Sequence, residues 1–74
     1  MKPNSRPLGR AIRHVPMLER LELNIWQDYG VRARAQIVNG NLVLTTNDYA
    51  DFVLARCTAV EKYGYDRANI TRGA

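Results

Sequence analysis

Apolar and polar residues alternate from Val31 to Thr46 on either side of an Asn39-Gly40 pair, and the rest of the chain is organised around this stretch. Asn-Gly is the strongest short-range hairpin signal, because a two-residue type I′ turn needs positive φ at both central positions. Closing the turn there sets Val38 opposite Asn41, Ile37 opposite Leu42, Ala35 opposite Leu44 and Ala33 opposite Thr46. Side chains alternate across a strand. Val31, Ala33, Ala35, Ile37, Leu42 and Leu44 therefore share one face, while Arg32, Arg34, Gln36, Val38, Asn41, Val43 and Thr45 share the other. A slip of one residue would bury Arg32 and Arg34, so the register is well specified. A two-stranded hairpin is marginally stable alone, and its apolar face needs helices to cover it.

Two segments can supply them. Pro16 suits the first turn of a helix, where its missing N–H costs nothing. Met17, Leu18, Leu21, Ile25, Trp26 and Tyr29 follow at close to helical spacing, and Gly30 is a natural stop. Leu21, Leu23 and Ile25 also alternate as in a strand, but segment length and the Leu, Glu and Arg content favour helix. Trp26 and Tyr29 are expected in the core. The second helix spans Asp48 to Tyr63, with Asn47 as cap and Asp48 and Asp51 in the first turn, where they complement the helix dipole. Tyr49, Phe52, Val53, Cys57 and Val60 form its apolar stripe, and Ala50, Ala55 and Ala59 allow close approach. Gly64 ends it.

The flanks read differently. Pro3, Pro7, Gly9 and Pro16 break up residues 1–16, which form an arm without stable secondary structure of their own. Residues 65–74 have no repeated apolar spacing and are expected to fray. The expected fold is α+β: a helix–hairpin–helix domain over 17–64, both helices on one face, with a flexible basic arm, a frayed tail and both sheet edges unpaired.

At 74 residues this is one domain, near the small end of what folds without a disulfide, metal or partner. A single cysteine, Cys57, excludes an internal disulfide and suits a reducing cytoplasm. No long apolar run or signal-peptide core is present, so neither membrane spanning nor export is expected. The net charge of +4 resides in the arm, where Lys2, Arg6, Arg10 and Arg13 precede the first acidic residue, Glu19.

Catalytic chemistry finds little to use. His14 is the sole histidine, and no Ser, Cys or carboxylate stands beside it in sequence to orient an imidazole. His14 and Cys57 are too few for a metal site. Cys57 falls on an apolar stripe and reads as a buried structural thiol. The glycines are isolated, without phosphate-loop spacing. No enzyme activity, cofactor, metal or small-molecule substrate is expected. Binding remains.

Arg32 and Arg34, joined to the arm, could track the phosphates of a nucleic acid. Their face, however, shows Val38, Val43 and Thr45 and lacks aromatic rings for stacking bases, and a plain solvated face explains the arginines equally well. A protein-binding module needs what the chain does offer: a basic, partly apolar arm and open sheet edges. The arm either stays mobile or orders on a partner as an added strand. Arg6, Leu8, Gly9, Arg10 and Arg13 are the first contact candidates, followed by Arg32 and Arg34.

The Ser5-Arg6-Pro7-Leu8-Gly9-Arg10 arm, the Leu-rich Leu18 to Trp26 stretch and the short length together resemble a family of small transcription regulators from lytic phages of plant-pathogenic bacteria. The resemblance implies a cytoplasmic protein that binds host RNA polymerase, inhibits transcription initiation and permits elongation through terminators. It implies docking near the RNA exit channel, on the amino-terminal region of the β′ subunit, with the β flap and nascent RNA as further contact candidates. No functional residue carries across by motif. The alternative is a small basic nucleic-acid-binding protein using the arm and Arg32 and Arg34.

Overall fold

The computed structural model describes residues 17–73. Helix α1 (Met17–Tyr29) leads into strands β1 (Arg34–Val38) and β2 (Asn41–Thr45), then helix α2 (Tyr49–Tyr63), a 3₁₀ turn (Arg67–Asn69) and strand β3 (Ile70–Arg72). The domain is small and α+β, as expected.

The hairpin forms in the expected register, with Val38 on Asn41, Ile37 on Leu42 and Ala35 on Leu44. Asn39 and Gly40 take φ of 52° and 81°, the two positive values that a type I′ turn requires. Val31, Ala33, Ala35, Leu42 and Leu44 are buried together with Leu21 and Ile25 of α1 and Phe52, Ala55 and Ala59 of α2. Both helices therefore meet the face that the alternation assigned to the core.

Ile37 departs from the pattern. It shares the buried face by alternation, yet it is half exposed, because β1 is an outer strand, whereas its cross-strand partner Leu42 on the central strand β2 is buried.

The frayed tail is corrected. Ile70–Arg72 pairs in parallel with β2, setting Ile70 beside Leu42, Val43 beside Thr71 and Leu44 beside Arg72. The Gly73 N–H extends this contact by donating to the Leu44 carbonyl at 2.8 Å. The sheet order is thus β1-β2-β3, and α2 is the crossover that a parallel pair demands. The outer edge of β2, expected to be open, is covered. Buried Ile70 adds a third strand to the core, and one apolar residue in a three-residue strand leaves no periodicity to read.

Two details of α2 also differ from expectation. Asp48, in extended conformation, is the N-cap: its side chain accepts from the Asp51 N–H at 2.9 Å. Asn47 does not fill that role. The buried face is Phe52, Ala55, Thr58 and Ala59, whereas Val53 and Val60 are partly buried at its margin, Cys57 is half-buried and Tyr49 is exposed. Small side chains let α1 come close, and this packing outweighs the larger residues of the expected stripe. At the C-terminus, Gly64 takes φ of +72°, and the Tyr65 N–H reaches back to the Ala59 carbonyl at 3.2 Å. A left-handed residue at this position satisfies the last carbonyls of the helix.

A polar seam joins the C-terminal halves of the helices. The Lys62 ammonium and the Thr58 hydroxyl donate to the two carboxylate oxygens of Asp28 at 2.8 and 3.1 Å, and the Tyr63 hydroxyl donates to the Asn24 side-chain carbonyl. Thr58 is the buried polar residue of the core, so this bond satisfies a hydroxyl that would otherwise be costly to bury.

Candidate functional site

α1 presents two surfaces. Leu21 and Ile25 point into the core, while Leu23 and Trp26 stand on the outward side, 54% and 49% exposed. Trp26 and Tyr29 are thereby removed from the expected core: the helical turn that directs Ile25 inward directs Trp26 away. Large apolar side chains left in water beside one another signal a contact surface more than isolated ones do.

Leu23 and Trp26 line a groove between α1 and the start of β1. It has a volume of about 440 Å³ and is also bordered by Glu19, Glu22, Val31, Arg32, Ala33 and Arg34. The Arg32 guanidinium lies 5.7 Å from the centre of the Trp26 ring, a cation–π distance. The local chain explains the placement. Gly30 ends α1 with its N–H on the Trp26 carbonyl at 2.7 Å, and the short connection to β1 returns Arg32 beside the ring.

The far wall of the groove is an edge strand. Among the described residues, β1 pairs on one side only, with β2. In an antiparallel ladder alternate residues point their backbone groups outward; beside a two-residue turn flanked by Val38 and Asn41, those residues are Ala35 and Ile37. The Ala35 N–H is satisfied by the Glu22 carboxylate at 2.7 Å, so α1 partly guards the edge. Ile37 and Val38, both exposed, point to opposite faces of the sheet beside the turn.

The sequence-derived contact residues divide into two sets. Arg32 and Arg34 are brought together on this groove, facing Glu19 and Glu22, so they do not stand alone on a bare basic face. Arg6, Leu8, Gly9, Arg10 and Arg13, like His14, lie outside the described residues. Leu23, Trp26 and Glu22 were missed as site residues. The signal for the first two was their offset from the Leu21–Ile25 spacing; nothing local marked Glu22.

Cys57 is not the fully buried thiol expected. It lines a second, smaller cleft with Arg56, Val60, Glu61 and Arg67. No group of three or more metal-binding side chains occurs among the described residues, and no helix among them is long and apolar enough to cross a membrane. No protein-family model, curated protein or solved structure matches the chain.

Proposed function

We propose that the chain is a phage-encoded regulator that binds bacterial host RNA polymerase near the RNA exit channel, inhibits initiation and promotes antitermination. The observation that carries its protein-binding part is the groove between α1 and β1, whose outer edge carries no further strand among the described residues. There, exposed Leu23 and Trp26 lie beside Arg32 and Arg34. Tryptophan and arginine are the side chains most often responsible for binding energy at protein interfaces, and the part of the β1 edge that Glu22 does not occupy offers main-chain pairing to an extended partner segment. Polymerase as the partner follows from the resemblance of the Ser5–Arg10 arm and the Leu18–Trp26 stretch. The β′ amino-terminal region is the first docking candidate and the β flap the second.

The mechanism in this reading is steric or allosteric and takes place in the host cytoplasm. Occupying a surface beside the exit channel hinders promoter-complex formation and disfavours a terminator hairpin. The arm supplies a second contact. As a nucleic-acid surface, the Arg32–Arg34 face is weakened by two features: Arg32 is engaged with Trp26, and Glu19 and Glu22 border the same groove.

Transcription in vitro tests the proposal. Promoter-initiated synthesis and terminator read-through are measured with the wild-type chain and with an Arg32→Glu, Arg34→Glu double variant. The double variant should need roughly tenfold more protein for either effect, the loss of one or two interface contacts. Full activity in the double variant would remove the groove from the mechanism, and a wild-type chain without effect would end the proposal.

A further inference from the structure

Along α2, from its N-terminus to the cleft at its middle, arginines and two aromatic rings, exposed Tyr49 and buried Phe52, form a connected series. The Arg72 guanidinium lies 5.7 Å from the Tyr49 ring centre. Tyr49 and Phe52 have ring centres 5.7 Å apart, inclined at 38°. The Arg56 guanidinium lies 5.2 Å from the Phe52 ring. Arg56 then shares with Arg67 a cleft of about 220 Å³ that Cys57, Val60 and Glu61 also line.

The series is built by the fold: Tyr49, Phe52 and Arg56 lie on successive turns of α2, and β3 carries Arg72 to its start. None of the three arginines has an acidic partner among the described residues, where the ion pair is Lys62 with Asp28. The carboxylates of Asp48 and Asp66 each accept a backbone N–H, Asp51 lies in the first turn of α2, and Glu61 borders the cleft. Tyr49 is 56% exposed, so one ring presents open surface beside a guanidinium.

We propose that Tyr49, Arg72, Arg56 and Arg67 form a binding surface for single-stranded nucleic acid. One exposed ring flanked by arginines suits a single strand in particular: an unpaired base stacks on Tyr49 while guanidinium groups meet the phosphates, and buried Phe52 supports the Tyr49 ring from beneath. A duplex keeps its bases stacked on each other and cannot use Tyr49. This surface differs from the α1–β1 groove and does not depend on which protein that groove binds.

Fluorescence anisotropy of a labelled 12-nucleotide oligouridylate, titrated with the full chain over a salt series, tests it. An oligothymidylate and a duplex serve as comparison probes. Tyr49→Ala removes the stacking ring without changing charge or touching the basic arm, so the arm's background attraction is held constant. It should weaken single-strand binding roughly tenfold, within the range measured for one lost stack, while Tyr49→Phe restores it. Arg72→Ala should reduce the slope of log affinity against log salt by about 0.7, the value for one phosphate contact on a single strand. Circular dichroism checks that each variant is folded. Equal affinity of Tyr49→Ala and wild type, equal affinity for duplex and single strand, or no wild-type binding would each overturn the proposal.

Discussion

Replacing Glu22 tests how α1 is tied to the sheet. The Glu22 carboxylate accepts the Ala35 N–H at 2.7 Å, a backbone group that points away from β2 and has no partner in the ladder. Ala35 is buried, so in a Glu22→Ala variant the N–H is left with poor access to water. Hydrogen bonds to charged groups contribute about 1.5–3 kcal/mol; the partial exposure of Glu22 places this one near ~1.5 kcal/mol on that scale. The better helix propensity of alanine returns only a few tenths of a kcal/mol. For a domain of this size, 1 kcal/mol shifts Tm by about 4–8 °C, so Glu22→Ala should melt roughly 5–10 °C below wild type. Glu22→Gln keeps a neutral acceptor and should lose about half as much. Thermal melts followed by circular dichroism give the order wild type, Gln, Ala. Amide exchange at Ala35 gives the local effect, which should accelerate most in the alanine variant. Coincident melts with unchanged Ala35 exchange would show that the bond does not hold the edge.

Ile70→Ala should cost about 2–4 kcal/mol, the ordinary loss for a buried isoleucine, and should release β3 from Leu42; a denaturant midpoint within error of wild type would return residues 65–73 to the role of a frayed tail. The Lys62 ammonium, with help from the Thr58 hydroxyl and against the opposing effect of desolvation, holds the Asp28 carboxyl below the ordinary carboxylate range, and Asp28 in turn raises Lys62. The depressed acid contributes stability above its unfolded pKa of about 4, and this contribution disappears as pH falls through the folded value. The raised ammonium contributes fully below about pH 10 and ceases to do so as pH rises through its folded value. Stability due to the pair is therefore flat near neutrality, and Asp28→Asn should flatten the acid limb of a stability–pH curve. An acid limb as steep as that of wild type would locate the pH dependence elsewhere. Both groups are accessible to water, so the effect should shrink in high salt.

The hairpin was legible because three local rules agree there. Asn39-Gly40 specifies the turn, alternation specifies the faces, and the arginines penalise a slipped register. Helix α1 was legible from its spacing and from Gly30, but which of its apolar residues face inward depends on the rotation of the helix against the sheet. That rotation buried Leu21 and Ile25 and exposed Trp26. In α2, apolar size pointed to Tyr49, Val53 and Cys57, whereas close packing selected Ala55 and Ala59. Strand β3 owes its existence to a partner distant in sequence, and three residues with a single apolar side chain hold no record of that partner. The groove was half legible: Arg32 and Arg34 were identified, but the Trp26 ring, Leu23 and the two carboxylates that complete it come from α1, and only the tertiary fold brings them alongside.

The most direct test of the regulator account is equilibrium binding of the labelled full chain to purified bacterial core RNA polymerase, beside duplex DNA and single-stranded RNA, over a salt series. The account predicts tight polymerase binding that persists at physiological salt and exceeds binding to either nucleic acid. Affinity for nucleic acid alone, falling steeply with salt as counterion release requires, would contradict it.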